Sequence, residues 1–125
     1  MKWLLIAPLT AALVLAVGQG ASAALLAVSA TTDYSGEGDY WDTIPNSPNG
    51  SPTFRVYDYE ADGYGVRLRS RDQWGLTSYV DQTAGADTIR DYNASPYEIA
   101  IQACNRDALS GGTIRVFNCD SWVYV

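Results

Sequence analysis

The chain has 125 residues, with 8 Lys and Arg against 14 Asp and Glu, no histidine and two cysteines. Without histidine there is no Ser-His-Asp or Cys-His catalysis, no imidazole acid–base group and no His-bound metal. The acidic excess repels phosphate backbones and anionic lipid heads, so neither nucleic acid nor a membrane surface is an expected partner.

The first residues carry the three parts of a secretory signal peptide. Lys2 precedes an apolar run from Leu4 to Val17, and Gly18-Gln19-Gly20-Ala21-Ser22-Ala23 ends it with an A-x-A cleavage site. The run is shorter than the about 20 residues a spanning helix needs. Processing is expected after Ala23, with a cut after Val28-Ser29-Ala30 as the variant, and the product is expected to be secreted and extracellular, off the membrane once the signal is gone. Losing Lys2 leaves seven Arg against fourteen acids, a net of −7, on a chain long enough for one domain.

Residues 24–53 are rich in Gly, Ser, Pro, Asp and Asn, with Pro45, Pro48 and Pro52 spaced along them. They show neither strand nor helix period and read as an irregular N-terminal arm. Tyr40 and Trp41 are candidate aromatic contacts for a sugar or a protein, or with Ile44 they pin the arm to the domain. Asn49-Gly50-Ser51 and Asn93-Ala94-Ser95 fit the glycosylation sequon, which matters only in a eukaryotic host.

From residue 54 to 125 short runs of Val, Ile, Tyr and Trp alternate with turn formers, which is the pattern of strands. Phe54 to Ser70 reads as a hairpin about Asp62-Gly63, pairing Tyr59 with Val66, Tyr57 with Leu68 and Asp58 with Arg67; a three-residue turn would shift that register by one. Gly63, unlike Gly36, is expected to need a positive φ. Further strands are predicted at Leu76–Asp81, Thr88–Tyr92, Glu98–Ala103, Thr113–Phe117 and Trp122–Val125. The fold class is therefore all-β, a small antiparallel sandwich or barrel of about seven strands behind a signal peptide and an arm.

Cys104 and Cys119, an even pair in an exported chain, are expected to form a disulfide joining neighbouring antiparallel strands. With both thiols bridged and no lysine after processing, cysteine and Schiff-base nucleophiles are gone as well. Asp58, Glu60, Asp62 and Gly63 begin like a calcium loop, but Arg69 stands where the bidentate glutamate belongs. No metal or cofactor is expected. Arg67, Arg69 and Arg71 sit two apart, which on a strand aligns three guanidiniums on one face, a candidate surface for the carboxylates of a partner.

The stretch V-Y-D-Y-E-A-D-G-Y-G-V from Val56 to Val66, followed by C-N-R-D at Cys104–Asp107 and C-D-S-W at Cys119–Trp122, resembles small secreted disulfide-containing β-proteins of actinobacteria. The resemblance implies a compact β-sandwich or barrel and brings no catalytic residues to these positions. This chain lacks the further cysteine pair that many related-looking proteins carry early in the mature part. The function expected is a secreted, non-catalytic binding or interaction domain, a protein inhibitor or a cell-envelope binder, whose partner is an extracellular protein or an acidic polysaccharide. An inhibitor would present the loop Arg106 to Gly112. The alternatives are a small carboxylate-based hydrolase, whose two acids must flank a cleft, and a structural protein that assembles through its arm.

Overall fold

The computed structural model describes residues 24–43 and 51–125. The predicted signal peptide, Ile44 and the Asn49 end of the first sequon lie outside the described residues. Nine strands are present among the described residues: β1 (Leu25–Ala30), β2 (Gly36–Trp41), β3 (Thr53–Asp58), β4 (Gly65–Asp72), β5 (Thr77–Gln82), β6 (Thr88–Asn93), β7 (Glu98–Ala108), β8 (Ile114–Phe117) and β9 (Val123–Tyr124). They form two antiparallel sheets, β1-β2-β3-β6 and β5-β4-β7-β8, with β9 also paired to β7. The chain is all-β, as its alternation implies, and the sheets pack face to face as a sandwich.

Alternation places the core. β3 turns Phe54 and Val56 inward and Arg55 and Tyr57 outward, while β4 turns Val66, Leu68 and Ser70 inward and its three arginines outward. With Ala27, Tyr40, Ile101 and Ala103 these apolar side chains make one buried cluster. The strands predicted after residue 76 all appear, shifted by a residue or two at most of their ends, and β7 runs five residues further than expected, to Ala108. At 11 residues β7 is long enough to hold β8 against Asn105–Ala108 and β9 against Ala100–Ile101 along one edge. The Cys104–Cys119 disulfide is formed, and β7 and β8 are antiparallel neighbours as expected.

Two expectations are corrected. Residues 25–41 are not an irregular arm but two strands of the first sheet. Their composition hides this because β2, GEGDYW, carries glycines where the opposite sheet approaches: a Cβ on Gly36 would overlap Val66, and one on Gly38 would overlap Leu68. Ser29 of β1 fastens this edge, accepting from Ala103 N at 2.8 Å and donating to Asp120 Oδ2 at 2.9 Å.

Phe54 to Ser70 is not a hairpin either. β3 pairs with β2 and β6, β4 pairs with β5 and β7, and residues 59–64 cross from one sheet to the other. Gly63 does have a positive φ, 81°, and Asp62 Oδ1 accepts from Tyr64 N at 2.9 Å, so the turn exists but serves the crossing. Alternation puts Val56 and Val66 on buried faces whether their strands lie side by side or face each other across a core, and the second arrangement is the one adopted. Asp58 consequently sits opposite Gly36 and Thr88 rather than Arg67.

Candidate functional site

The outer face of the second sheet carries a row of arginines with polar and aromatic neighbours on both sides. β4 supplies Arg67, Arg69 and Arg71, with side chains on one face as their spacing predicts. Register partners in an antiparallel pair share a face, so Thr77, Tyr79 and Asp81 of β5 flank the row on one side. On the other side stand Ala100, Gln102, Cys104 and Arg106 of β7, and beyond Ala100 its β9 partner Tyr124.

Each guanidinium is held differently. Arg67 forms a two-bond pair with Asp81, Nε to Oδ1 at 2.8 Å and Nη2 to Oδ2 at 2.9 Å, and lies 3.6 Å from the Tyr79 ring centre. This pairing holds Arg67 above the usual arginine range against the opposing effect of burial. Arg106 Nε donates to the same Asp81 carboxylate at 2.9 Å. Asp81 is itself fixed from the other sheet, because its carbonyl accepts the Tyr92 hydroxyl. Arg69 donates to Gln102 Oε1 at 2.9 Å, and Arg71 stacks 4.3 Å from the Trp122 ring centre, with Arg69 at 5.5 Å from the same ring. Among the described residues neither Arg69 nor Arg71 has a carboxylate within ion-pair distance. On this face Arg67 and Arg106 therefore share one carboxylate, while Arg69 and Arg71 have none among the described residues.

The disulfide positions part of the site. It ties the stretch after β8 onto the middle of β7, and Asp120 adds two backbone hydrogen bonds, N to Ala103 O at 3.0 Å and O from Gln102 Nε2 at 2.8 Å. Trp122 is thereby laid over the arginines. Beyond Arg106 the sheet ends in an open recess of about 510 Å³ lined by Glu60, Tyr64, Thr83 and Asp107 among others. Arg106 to Ala108 belong to β7, so the loop expected to run from Arg106 to Gly112 is in fact a shorter connection about Leu109–Thr113.

Tyr40 is not a contact residue. It is 1% exposed, packs on Phe54 with ring centres 5.4 Å apart, and donates its hydroxyl to the Ser95 carbonyl at 2.7 Å. Trp41, half-buried on the outer side of β2, keeps a buried indole N–H that no described residue accepts.

Sequence reasoning also missed the outer face of the first sheet, because its strands were read as an arm. There Glu37 and Asp39 of β2 stand two residues apart beside Tyr57 and Tyr59, whose rings stack at 5.6 Å. Burial and the adjoining Asp39 carboxyl push Glu37 up to about 7, and burial with Asp39 pushes Tyr57 up to about 12. Such a pair can hold a proton near neutrality. Neither this pair nor the arginine row lines a recess described above, apart from Arg106.

A second signal missed from sequence is an aromatic end beside the arginine row. Trp74, at the β4–β5 turn, meets Tyr97 edge to face with ring centres 5.1 Å apart, and the two are 64% and 50% exposed. Only the fold brings residues so distant in sequence together. The chain matches no protein-family model, no curated protein and no solved structure.

Proposed function

We propose that the chain is a secreted, non-catalytic binding domain whose arginine face takes a carboxylate-bearing partner outside the cell. The carrying observation is that Arg69 and Arg71 are oriented by Gln102 and Trp122 yet have no carboxylate of their own among the described residues. A guanidinium held by neutral and aromatic neighbours keeps its charge and part of its fork of donors for a ligand. Asp81, by contrast, fully engages Arg67 and shares itself with Arg106, and these two set the scaffold of the face.

Secretion is supported by the signal-like leader and by an intramolecular disulfide, the kind of bond that persists in oxidising compartments. Among the described residues no helix is long and apolar enough to cross a membrane.

The test is binding of the exported protein to soluble polycarboxylates, measured calorimetrically at rising salt. Changing Arg67, Arg69 and Arg71 together to glutamine is expected to weaken binding at least tenfold and to flatten its salt dependence, with the fold retained. Unchanged affinity in the triple variant overturns the reading.

A further inference from the structure

The exposed aromatic residues around the arginine row narrow the class of partner. Tyr124 shares the face of Arg71, since each is a register partner of Ala100, and it is 62% exposed. Past Arg71 the chain turns at Trp74, and this turn is rigid. Asp72 Oδ1 accepts from Trp74 N at 2.9 Å and Leu76 N at 3.0 Å, Asp72 N donates to Leu76 O at 3.0 Å, and Gln73 N donates to Tyr97 O at 3.0 Å. Two large rings are thus presented to solvent on backbone that is already ordered, so little conformational entropy remains to be lost on binding. Exposed rings near the end of a charged strip have the make-up of a recognition surface.

Resting on the function proposed above, we infer that the arginine row and this aromatic end form one continuous site for a linear acidic polysaccharide, a uronate polymer lying along the outer face of the second sheet. Its carboxylates meet Arg69 and Arg71, and the flat C–H faces of its sugar rings lie on Tyr124 and on the Trp74–Tyr97 pair. A strand rises about 3.3 Å per residue, so Arg67 to Arg71 alone spans about 13 Å, and the aromatic end extends the strip to the length of several sugar rings.

Two observations favour this polymer over an acidic polypeptide. The site lies on the face of a sheet, where main-chain groups are spent on neighbouring strands and cannot add a peptide strand. Finally, the alternation of rings with cations matches a ligand that is apolar on its ring faces and anionic at its edges, which polyglutamate is not.

The experiment titrates the exported, disulfide-bonded protein with polygalacturonate, with its fully methyl-esterified form and with poly-L-glutamate. The wild type is expected to bind polygalacturonate and to lose at least tenfold in affinity when the carboxylates are esterified. Replacing Trp74 and Tyr124 by alanine is expected to weaken polygalacturonate binding at least tenfold while leaving poly-L-glutamate binding unchanged, and W74F should restore most of the loss attributable to Trp74. Thermal midpoints check that each variant is folded. Unchanged polygalacturonate affinity in the aromatic variants, or binding of poly-L-glutamate alone, overturns the polysaccharide site while leaving the arginine face standing. Failure to bind either polyanion overturns the arginine face itself.

Discussion

Gly38 of β2 and Leu68 of β4 share one volume of the core: the side chain that the glycine lacks is where the leucine's Cδ1 lies, and Gly36 and Val66 repeat the relation two residues earlier. The two sheets can therefore approach closely at this point, at the expense of strand propensity in β2. Gly38→Ala and Gly36→Ala are each expected to lower stability by about 1–3 kcal/mol through overpacking. Gly63→Ala, with open space and only a positive φ to resist it, should cost about 1–2 kcal/mol. With valine the clash at Gly36 grows, so Gly36→Val is expected to exceed Gly63→Val, the reverse of the order that an Asp-Gly hairpin implies. Urea unfolding measures this, and Gly38→Ala paired with Leu68→Ala should cost less than the sum of the single changes. A Gly38→Ala protein as stable as wild type would contradict the packing.

If the leader is removed, β1 sets where the remaining chain must start. β1 buries Ala27 and Ser29, and Ala24 N donates to Asp42 Oδ1 at 2.7 Å while Asp42 N donates to Ala24 O at 3.0 Å. A cut after Ala30 would delete this edge strand; a cut after Ala23 keeps it and turns the Ala24 nitrogen into an ammonium already beside a carboxylate. N-terminal sequencing is expected to read Ala24 first. A protein beginning at Thr31 and still folded would refute the role given to β1.

Acid and neutral pH should act through two different carboxyls near the β1–β2 turn. Glu37 holds its proton up to about 7, against 4.5 for an ordinary glutamate, because it is buried and beside Asp39. Its contribution to stability is complete below about 4.5 and is lost as the pH rises through about 7. Asp33 is the opposite case. Burial acts to raise it, but hydrogen bonds from Thr31, Ser35 and Asn105 outweigh that and hold it at about 2, so its contribution is present above 3.8 and lost as the pH falls through about 2. Thermal midpoints are expected to decline more between pH 5 and 8 in the wild type than in Glu37→Gln, and less at pH 2–4 in Asp33→Asn than in the wild type. Parallel curves for Glu37→Gln and wild type would refute the first assignment.

Replacing Cys104 and Cys119 by serine is expected to lower stability by about 3 kcal/mol, the entropic value for a bridge across 15 residues. Chemical denaturation with and without reductant reads the same quantity in the wild type.

The strands from β3 onward were legible because Val, Ile and aromatic residues alternate between turn formers, and the arginine row followed from spacing alone. β1 and β2 were not, for opposite physical reasons. LLAVSA continues the apolar character of the leader, and GEGDYW owes its glycines to the opposing sheet and its acids to an outward face. Pairing was illegible where it mattered most: β3 and β4 are close in sequence, yet nothing local distinguishes neighbours in a sheet from partners across a core. The same limit hid the site. Tyr79, Asp81, Gln102 and Trp122 reach the arginines only through register and through the disulfide, neither of which a run of residues displays.

Cys119 precedes Trp122 and Tyr124 by three and five positions, and the two-residue β9 is the only strand pairing of that tail among the described residues. On the function proposed above, redox state and binding are thereby joined. A reduced copy keeps its arginines on β4, but the aromatic lid that orients Arg71 is tethered by little more than that pairing and the Asp120 bonds. A copy kept reduced is therefore expected to bind the proposed polyanion more weakly than the oxidised one, which titration with and without reductant measures.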